Sequence, residues 1–338
     1  MYLVIGSTTI LGAHTICTLL QKGLPVRAVK SDRSDMNRFR KIMGYYFSDS
    51  DNLFDEIEWV EADPFDREST AELLQGVDVV FNCATPAFFG LQKDDNIIEG
   101  IVHSTAILVD EARLAGVKYF CHVSNLLALG DEPELKEISE TSPRDPKGNY
   151  TDYSKASFLS EMEVWRAFEE GLQGSVLNAG FVIGPGDWKK DSSAIFARIN
   201  RGLKFYAQGV TGFIGVRDLV RCMLSLTKQK IVNERFIAVS QCMSFAELLF
   251  LIADTLGVNR PRFNVCKFMF FFLKLWYRIK YLFSKRNPRL NDDFISLITD
   301  FKLYNSEKSL NLLIAGYQPM EQVIKEICKL YREDNSEK

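Results

Sequence analysis

The first pattern able to do chemistry is a pair of glycines near the start of the chain. The stretch VIGSTTILG, residues 4–12, places Gly6 after an apolar run and Gly12 inside the next helical pattern. In a strand–turn–helix unit this spacing permits a tight turn and leaves helix N-terminal amides for the pyrophosphate of a dinucleotide. Thr9 occupies the middle position, where phosphate normally meets bare backbone, although its hydroxyl can donate to phosphate. The motif predicts a weakened dinucleotide site, and the alternative is an ordinary strand–helix turn.

Charged residues after the second apolar run bear on which dinucleotide would bind. The run ends in RAVKSDRSD, residues 27–35. Sites specific for NAD place an acid at the end of the second strand to hold the ribose 2′-hydroxyl, whereas NADP needs a cation for its 2′-phosphate. Lys30 and Arg33 are the candidate cations, and Asp32 is the competing acid. The pattern favours NADP, and the alternative is that these are solvated loop charges.

These candidate residues need a scaffold, and the first half of the chain alternates short apolar runs with helical patterns. Apolar runs occupy residues 2–6, 25–30, 57–63, 77–84, 117–124 and 174–184, and helical patterns occupy residues 10–23, 69–76 and 96–116. Strand–helix repetition with nearly continuous apolar strands is typical of a parallel sheet covered on both faces. Right-handed crossovers then give an α/β fold with a doubly wound parallel sheet, the Rossmann fold.

The alternation of strand and helix patterns ends at about residue 180, and helical patterns predominate after it. They cover residues 194–202, 244–257 and 320–333, and the second begins with a capping box of Ser244 and Glu247. These segments predict a smaller, mostly helical C-terminal substrate region beside the sheet. The predicted division gives residues 1–178 to a dinucleotide-binding domain that returns near 213–241, residues 179–212 and 242–333 to the substrate region, and residues 334–338 to a tail.

Composition excludes several classes of protein. The chain has 338 residues, 46% hydrophobic and 25% charged, with a formal net charge of -3, which predicts a globular core and no nucleic-acid partner. Seven cysteines without C-x-x-C spacing and three scattered histidines predict reduced thiols and no metal site. The N-terminus enters an apolar strand without a basic start, so we expect no signal peptide and a cytoplasmic location.

Several stretches, in order along nearly the whole chain, carry a resemblance to a known family. They are VIGSTTILG, VEADPFD, VFNCATP, HVSNLLALG, YSKASFLSEMEVW, GFVIGPGDW, GVRDLVRCML and the ending YNSEKSLNLLIAGYQPMEQVIKEICKLY. Together they resemble the extended short-chain dehydrogenase/reductases of the NAD-dependent epimerase/dehydratase family, on the side of dihydroflavonol reductases and 3β-hydroxysteroid dehydrogenases. The resemblance implies that a dinucleotide is bound by Gly6, Thr8, Thr9, Ile10, Leu11, Gly12, Lys30, Arg33, Asp63, Pro64, Cys83, Ala84, Thr85, Gly180 and Val182.

The resemblance also implies a catalytic tyrosine with a lysine four residues later. A phenol with a pKa near 10 is a poor base at neutral pH without a neighbouring cation, and a spacing of four puts both groups on one helical face. One register places Tyr153 at the tyrosine position and Ser157 at the lysine position, whereas the other keeps Lys155 and puts Thr151 in place of the tyrosine. Neither register gives the family pair, because Lys155 lies about 200° from Tyr153 around a helix.

Two further positions of the family pattern are altered. The hydroxyl residue that orients the substrate oxygen corresponds to Asn125, with Ser124 one residue earlier on the other face of the strand. The asparagine of the long helix corresponds to Ile101. Together with Thr9 and with Ser157 (or Thr151 in the other register), these changes predict a retained fold with an altered or lost reaction.

Residues 267–286, KFMFFFLKLWYRIKYLFSKR, contain six cations and no acid among mostly aromatic and aliphatic residues. Charges interrupt the stretch too often for a helix that spans a bilayer. A helix with a basic stripe would suit three settings: a core helix with solvated lysines, a lid over a bulky apolar substrate, or a helix lying at a membrane surface. The last setting would place the protein at the inner face of a membrane.

The sequence predicts an NAD(P)-dependent epimerase/dehydratase or reductase that acts on a sugar nucleotide or on an apolar hydroxy or keto compound. In an active protein, Tyr153 would be the acid/base, Lys155 the cation, and Ser124 or Asn125 the substrate anchor. The alternative is a catalytically degenerate protein that keeps the fold and binds a dinucleotide or a membrane surface. The resemblance further implies a homodimer through two long helices.

Overall fold

The computed structural model describes residues 1–31, 34–84, 97–130, 137–265, 269 and 292–336. Three sequence predictions therefore fall outside the described residues. They concern Arg33 with its competitor Asp32, Thr85, and the basic aromatic stretch at 267–286 apart from Met269.

Strands and helices alternate along the first half of the chain, and helices predominate in the second. The strands are β1 (Tyr2–Ile5), β2 (Val26–Lys30), β3 (Glu58–Glu61), β4 (Val79–Asn82), β5 (Tyr119–Asn125), β6 (Gly174–Ala179), β7 (Phe181–Ile183), β8 (Phe205–Tyr206), β9 (Val210–Gly215), β10 (Glu234–Ala238), β11 (Gln241–Ser244) and β12 (Phe263–Asn264). The helices are α1 (Ile10–Gln21), α2 (Met36–Gly44), α3 (Ser50–Asp55), α4 (Arg67–Leu73), α5 (Ile97–Leu114), α6 (Asp152–Glu169), α7 (Ala194–Asn200), α8 (Val216–Gln229), α9 (Phe245–Leu256), α10 (Asp292–Thr299), α11 (Glu307–Leu310) and α12 (Met320–Ser336).

A seven-stranded parallel sheet forms the centre of the molecule, in the order β10-β6-β5-β4-β1-β2-β3. Neighbouring residues of a strand point to opposite faces, and both faces are covered. Val4 packs in one cluster with Ile16 of α1 and Leu219 of α8, while Leu3 packs in another with Val109 of α5 and residues of α6. The doubly wound parallel sheet predicted from the sequence is confirmed, and strand order reverses between β1 and β4.

The C-terminal region adds helices and two small sheets around a separate apolar cluster. The capping box is present, since the Ser244 hydroxyl accepts from the Glu247 amide and the Glu247 carboxylate accepts from the Ser244 amide. One sequence prediction needs correction: the run 174–184 is two strands, because β6 joins the central sheet and β7 pairs with β9. The break falls at Gly180, where a Cβ would lie 2.7 Å from the Gly212 carbonyl oxygen.

Helices α2 and α3, which the sequence patterns did not predict, fill the connection between β2 and β3. Helix α2 begins at the N-cap Asp35, whose side chain accepts from the Arg38 amide, and Phe39 and Ile42 pack it onto the core. Within the described ranges, no helix is both long enough and apolar enough to cross a bilayer.

Candidate active site

A cavity of about 340 Å³ crosses the carboxyl ends of β1, β2, β4 and β5, at the point where strand order reverses. Open α/β sheets bind their ligands at this position. Residues of α4, α5 and α6 close its far side. The cavity is lined by Ile5, Gly6, Ser7, Thr8, Val29, Lys30, Ser31, Ser34, Ala62, Pro64, Thr70, Leu73, Asn82, Ala84, Ile101, Ser104, Thr105, Leu108, His122, Val123, Ser124, Asn125, Ser157 and Ser160. We call this cavity the groove.

Two glycines shape the turn at one end of the groove. Gly6 has a φ of 72°, and a Cβ there would lie 2.7 Å from the carbonyl oxygen of Cys83. At Gly12 a Cβ would lie 2.2 Å from the carbonyl oxygen of Gly6. Because these contacts are with backbone atoms, neither position can hold a larger residue without moving a strand or the first turn of α1.

The Thr9 hydroxyl is used within this turn. It donates to the Gly6 carbonyl oxygen at 2.8 Å and accepts from the Gly12 amide at 3.0 Å, so Thr9 is the N-cap of α1. The Thr9 hydroxyl proton, which we expected to be available to a phosphate, is therefore used in the hydrogen bond to the Gly6 carbonyl oxygen. The amides of Ile10 and Leu11, which open the helix, have no intrahelical acceptor and remain the groups that a phosphate can use.

The turn is held in place from two sides. The Ser7 hydroxyl donates to the Val4 carbonyl at 2.7 Å and accepts from the Val29 amide at 2.9 Å, which joins β1 to β2. The guanidinium of Arg38 donates to the Thr8 carbonyl and to the Asp191 carboxylate. Sequence reasoning missed Arg38, because a cation on a surface helix has no local signature of a partner 153 residues away.

The structure distributes the predicted cofactor residues in two groups. Those that line the groove are Gly6, Thr8, Lys30, Pro64 and Ala84. Those that do not line it are Thr9, Ile10, Leu11, Gly12, Asp63, Cys83, Gly180 and Val182. The Lys30 ammonium lies 3.3 Å from Glu61 on the neighbouring strand. The Asp63 carboxylate accepts from the Phe65 amide at 3.0 Å, so it stabilises its own turn.

At the other end of the groove, Asn125 contacts two side chains of α6. Its amide nitrogen donates to the Ser157 hydroxyl at 2.8 Å and to the Tyr153 hydroxyl at 3.4 Å. Tyr153 and Ser157 are one helical turn apart and therefore share a face. The sequence left two registers open, one with Tyr153 and Ser157 and one with Thr151 and Lys155. In the structure, Tyr153 and Ser157 are the pair that faces Asn125 of β5.

The start of α6 is regular. The Thr151 side chain caps the helix by accepting from the Ser154 amide at 3.2 Å. The Lys155 side chain is 48% exposed, and its ammonium lies 3.8 Å from Asp152. Tyr150 precedes the helix and stacks under the Arg144 guanidinium, 3.6 Å from its ring centre. The structure therefore brings Tyr153 to Asn125, places Ser124 in the groove wall, and leaves Lys155 on the outer face of α6.

A buried polar network supports Asn125 from behind. The Asn178 amide donates to the Asn125 carbonyl at 3.1 Å and to the Glu161 carboxylate at 2.6 Å. Glu161 is fully buried and pairs with Arg235 of β10. Burial raises the pKa of Glu161, and the Arg235 charge opposes that shift. Sequence reasoning missed this network, although an acid on the inner face of α6, four residues after Ser157, is a signal that could have revealed it.

His122 lies in the groove wall below these residues. Its Nδ1 is 3.1 Å from the Asn82 side-chain nitrogen, and burial lowers the pKa of His122 to about 4. The neutral ring accepts at Nδ1 from the Asn82 amide, so the proton resides on Nε2. Within the described ranges, no group of three or more histidine, cysteine or acidic side chains could hold a metal ion.

Known proteins provide the family context. The sequence profile of the NAD-dependent epimerase/dehydratase family matches residues 2–237. The chain is 27% identical to sterol demethylase protein B of Methylococcus capsulatus, over 91% of this chain and 90% of that protein. It is 21% identical to cinnamoyl-CoA reductase 1 of Petunia hybrida, over 78% and 83% of the two chains.

A solved structure shows the same fold. The UDP-glucose 4-epimerase of Thermotoga maritima superposes with a TM-score of 0.75 at 19% identity, over 98% of this chain and 99% of that one. Identity at this level shows the fold and not the substrate. The family profile covers more than two thirds of the chain, including the glycine turn, β5 and α6. The chain therefore belongs to the NAD-dependent epimerase/dehydratase family, as its motifs predict.

Proposed function

We propose that this protein is an NAD(P)-dependent reductase that acts on the carbonyl group of a bulky apolar compound of the sterol class. The observation that carries the proposal is the groove itself. It runs from the glycine turn, which suits a pyrophosphate, to Asn125 and Ser157, which present an amide and a hydroxyl at the other end. Tyr153 lies directly behind them.

The glycine turn fits the dinucleotide that the family implies. The contacts that a Cβ would make at Gly6 and Gly12 require glycine at both positions, which keeps the turn tight and α1 close to β1. The amides of Ile10 and Leu11 point from the helix N-terminus, whose dipole favours an anion. When bound, the nicotinamide cofactor supplies the hydride for the reaction.

The hydroxyl groups at the far end favour reduction over oxidation. Asn125 donates to the oxygens of Tyr153 and Ser157, so the proton of each hydroxyl is directed to another acceptor. Ser157 lines the groove and can donate a hydrogen bond to a substrate oxygen that gains negative charge, and the proton that completes the alcohol would come from the Tyr153 phenol. Oxidation instead requires a base, and the Lys155 ammonium, which the resemblance would place beside the phenol to make it one, lies 3.8 Å from Asp152 on the outer face of α6.

The relatives favour an apolar substrate over a sugar nucleotide. The name of sterol demethylase protein B refers to a sterol, and the match to that relative covers nine tenths of the present chain. The solved epimerase that binds UDP-glucose is only 19% identical and supports the fold alone. The aromatic composition of residues 267–286 agrees with contact to an apolar compound.

We further propose NADP as the preferred dinucleotide. Lys30 lines the groove at the end of β2, where its ammonium can meet a 2′-phosphate, and Arg33 is the second candidate cation against the competing acid Asp32. Comparison of NADPH and NADH affinities tests this point, and Lys30→Glu is expected to weaken NADPH more than NADH. Equal loss of both affinities would contradict the proposal.

A second candidate is a dinucleotide-binding protein without catalytic activity. The observation that favours it is the position of Lys155 on the outer face of α6, with Ser157 at the place where the family has lysine. Such a protein would bind NADPH in the groove and transfer no hydride.

One set of variants separates the two candidates. NADPH binding is measured by fluorescence, and turnover is measured with keto-sterols and with the corresponding alcohols. For a reductase we expect Tyr153→Phe and Ser157→Ala to slow reduction with little change in NADPH affinity. We expect Ser157→Lys, which restores the spacing of four to Tyr153, to raise alcohol oxidation about 10²-fold. NADPH binding without turnover in any variant would support the second candidate.

Two associations complete the proposal. A homodimer would form through α5 and α6, where Leu114, Leu159 and Met162 are exposed, and light scattering after gel filtration tests it. A membrane surface would be contacted through residues 267–286, whose six cations favour anionic lipid. This attachment would deliver an apolar substrate from the bilayer.

A further inference from the structure

A short ribbon of two parallel strands presents aromatic rings to solvent. Strands β8 and β12 pair Phe263 with Phe205, and the Arg262 and Phe263 amides both donate to the Lys204 carbonyl at 2.9 Å. Phe205 is 51% exposed and Phe263 is 56% exposed, and their ring centres are 5.7 Å apart. The two rings are tilted by 40° and lie in contact, so they form one contiguous apolar patch, and contiguous exposed apolar patches often mark a binding surface.

The ribbon is attached firmly to the molecule. Tyr206, the neighbour of Phe205, turns inward and packs edge-on against Phe250 of α9 with ring centres 5.1 Å apart. The Val265 amide donates to the Tyr206 carbonyl at 2.8 Å, which continues the pairing beyond β12. The outward rings are therefore carried on a fixed support and are not a frayed end.

The charges beside the rings are positive. Lys204 and Arg262 flank Phe205 and Phe263 and are exposed. Neither has an ion-pair partner in the part of the chain that the structure describes, whereas the nearby Arg260 is paired with Asp254. Beyond Val265 the sequence continues directly into the stretch with six cations and no acid.

We propose that this ribbon, with Phe205 and Phe263 at its centre and Lys204 and Arg262 at its rim, is a docking surface for an anionic lipid bilayer. Aromatic rings partition into the interfacial region, and cations beside them are attracted by the negative surface potential. The inference rests on the membrane contact proposed above and adds a structured surface to it.

The test is flotation of the full chain with phosphatidylcholine vesicles, with and without phosphatidylglycerol. The wild-type protein is expected to float with the anionic vesicles and to be released by salt. The pair Phe205→Ser with Phe263→Ser is expected to weaken binding about tenfold, because the apolar area that enters the interface is lost. The pair Lys204→Glu with Arg262→Glu should weaken binding to anionic vesicles at least as much.

Ile314→Ser is the matched control, because Ile314 is fully exposed but follows Leu312 and Leu313, which pack against the cluster of the central sheet. Unchanged melting temperatures establish that each variant is folded. A wild-type protein that stays in solution with both vesicles would overturn the membrane contact and this inference together. Flotation of the wild type and of both ribbon pairs to the same extent would overturn the ribbon alone and leave residues 267–286 as the contact.

Discussion

The two ends of the groove differ in how much the fold depends on them. At the glycine turn, an added methyl group at Gly12 would lie 2.2 Å from a backbone oxygen, so the residue type is required for packing. At the far end, Ser157 lines the groove at the position where one register of the family resemblance implies a lysine, whose value is chemical rather than structural. Steric contacts therefore fix the residue types of the turn, whereas the group at the opposite end of the groove can change without disturbing the fold.

The far end nevertheless depends on a buried ion pair behind Asn125, and loss of that pair should lower the free energy of unfolding more than any other change proposed here. Glu161 has no exposed surface, and its compensating charge is Arg235. We expect Arg235→Ala to lower the free energy of unfolding by about 4 kcal/mol, since it leaves a buried carboxylate without its partner. Urea denaturation at neutral pH measures this loss. The double variant with Glu161→Gln should recover part of it, and a double variant less stable than Arg235→Ala would contradict the pairing.

Two buried neutral histidines, His122 in the groove wall and His14 in α1, should make the folded protein sensitive to acid. Burial lowers the pKa of His14, whose ring contacts the Tyr46 hydroxyl and the Pro185 carbonyl, and that of His122 to about 4. Their contribution is fully present above about pH 6.5, and it is lost as the pH falls toward 4 because only the unfolded chain takes up the proton. Each histidine should account for about 3 kcal/mol over this interval.

Unfolding free energies measured at pH 7 and near pH 4.5 test the histidine prediction. His122→Gln keeps an amide beside Asn82 and should remove the part of the acid sensitivity that His122 causes. The part that depends on His14 should remain. Identical acid sensitivity in wild type and variant would show that His122 is not the buried neutral group inferred from its surroundings.

The glycine turn provides the third prediction. Gly12→Ala should lower the free energy of unfolding by about 2 kcal/mol and abolish NADPH binding, because α1 must move away from the turn. Gly44→Ala is the matched control, because no atom lies within 4 Å of its Cβ position and its φ is ordinary. That control should be neutral or slightly stabilising. Equal losses of unfolding free energy in Gly12→Ala and Gly44→Ala would show that the close contacts at Gly12 do not matter for stability.

Local patterns explain what the sequence could predict. The glycine turn, the alternating strands and the capping box at Ser244 depend on residues a few positions apart, and the structure contains all three. The division of 174–184 into β6 and β7 depends on contact with Gly212, which no local pattern encodes. Arg38 with Asp191 and Glu161 with Arg235 are pairs of distant residues, and each partner alone resembles an ordinary surface charge.

The choice of register in α6 gives the smallest expected effect and the sharpest test of the catalytic end. The sequence offered Lys155 as the cation beside Tyr153, but the structure places its ammonium 3.8 Å from Asp152 on the exposed face of the helix. An exposed ion pair at this spacing contributes little, so Lys155→Ala should change the free energy of unfolding by less than about 0.5 kcal/mol. NADPH affinity and any keto-sterol reduction should also be unchanged.

Ser157→Ala serves as the contrasting variant, because Ser157 accepts from Asn125 and lines the groove. If Lys155→Ala slowed turnover while Ser157→Ala did not, the lysine register would be the functional one, and the helix would have to rotate Lys155 inward when substrate binds.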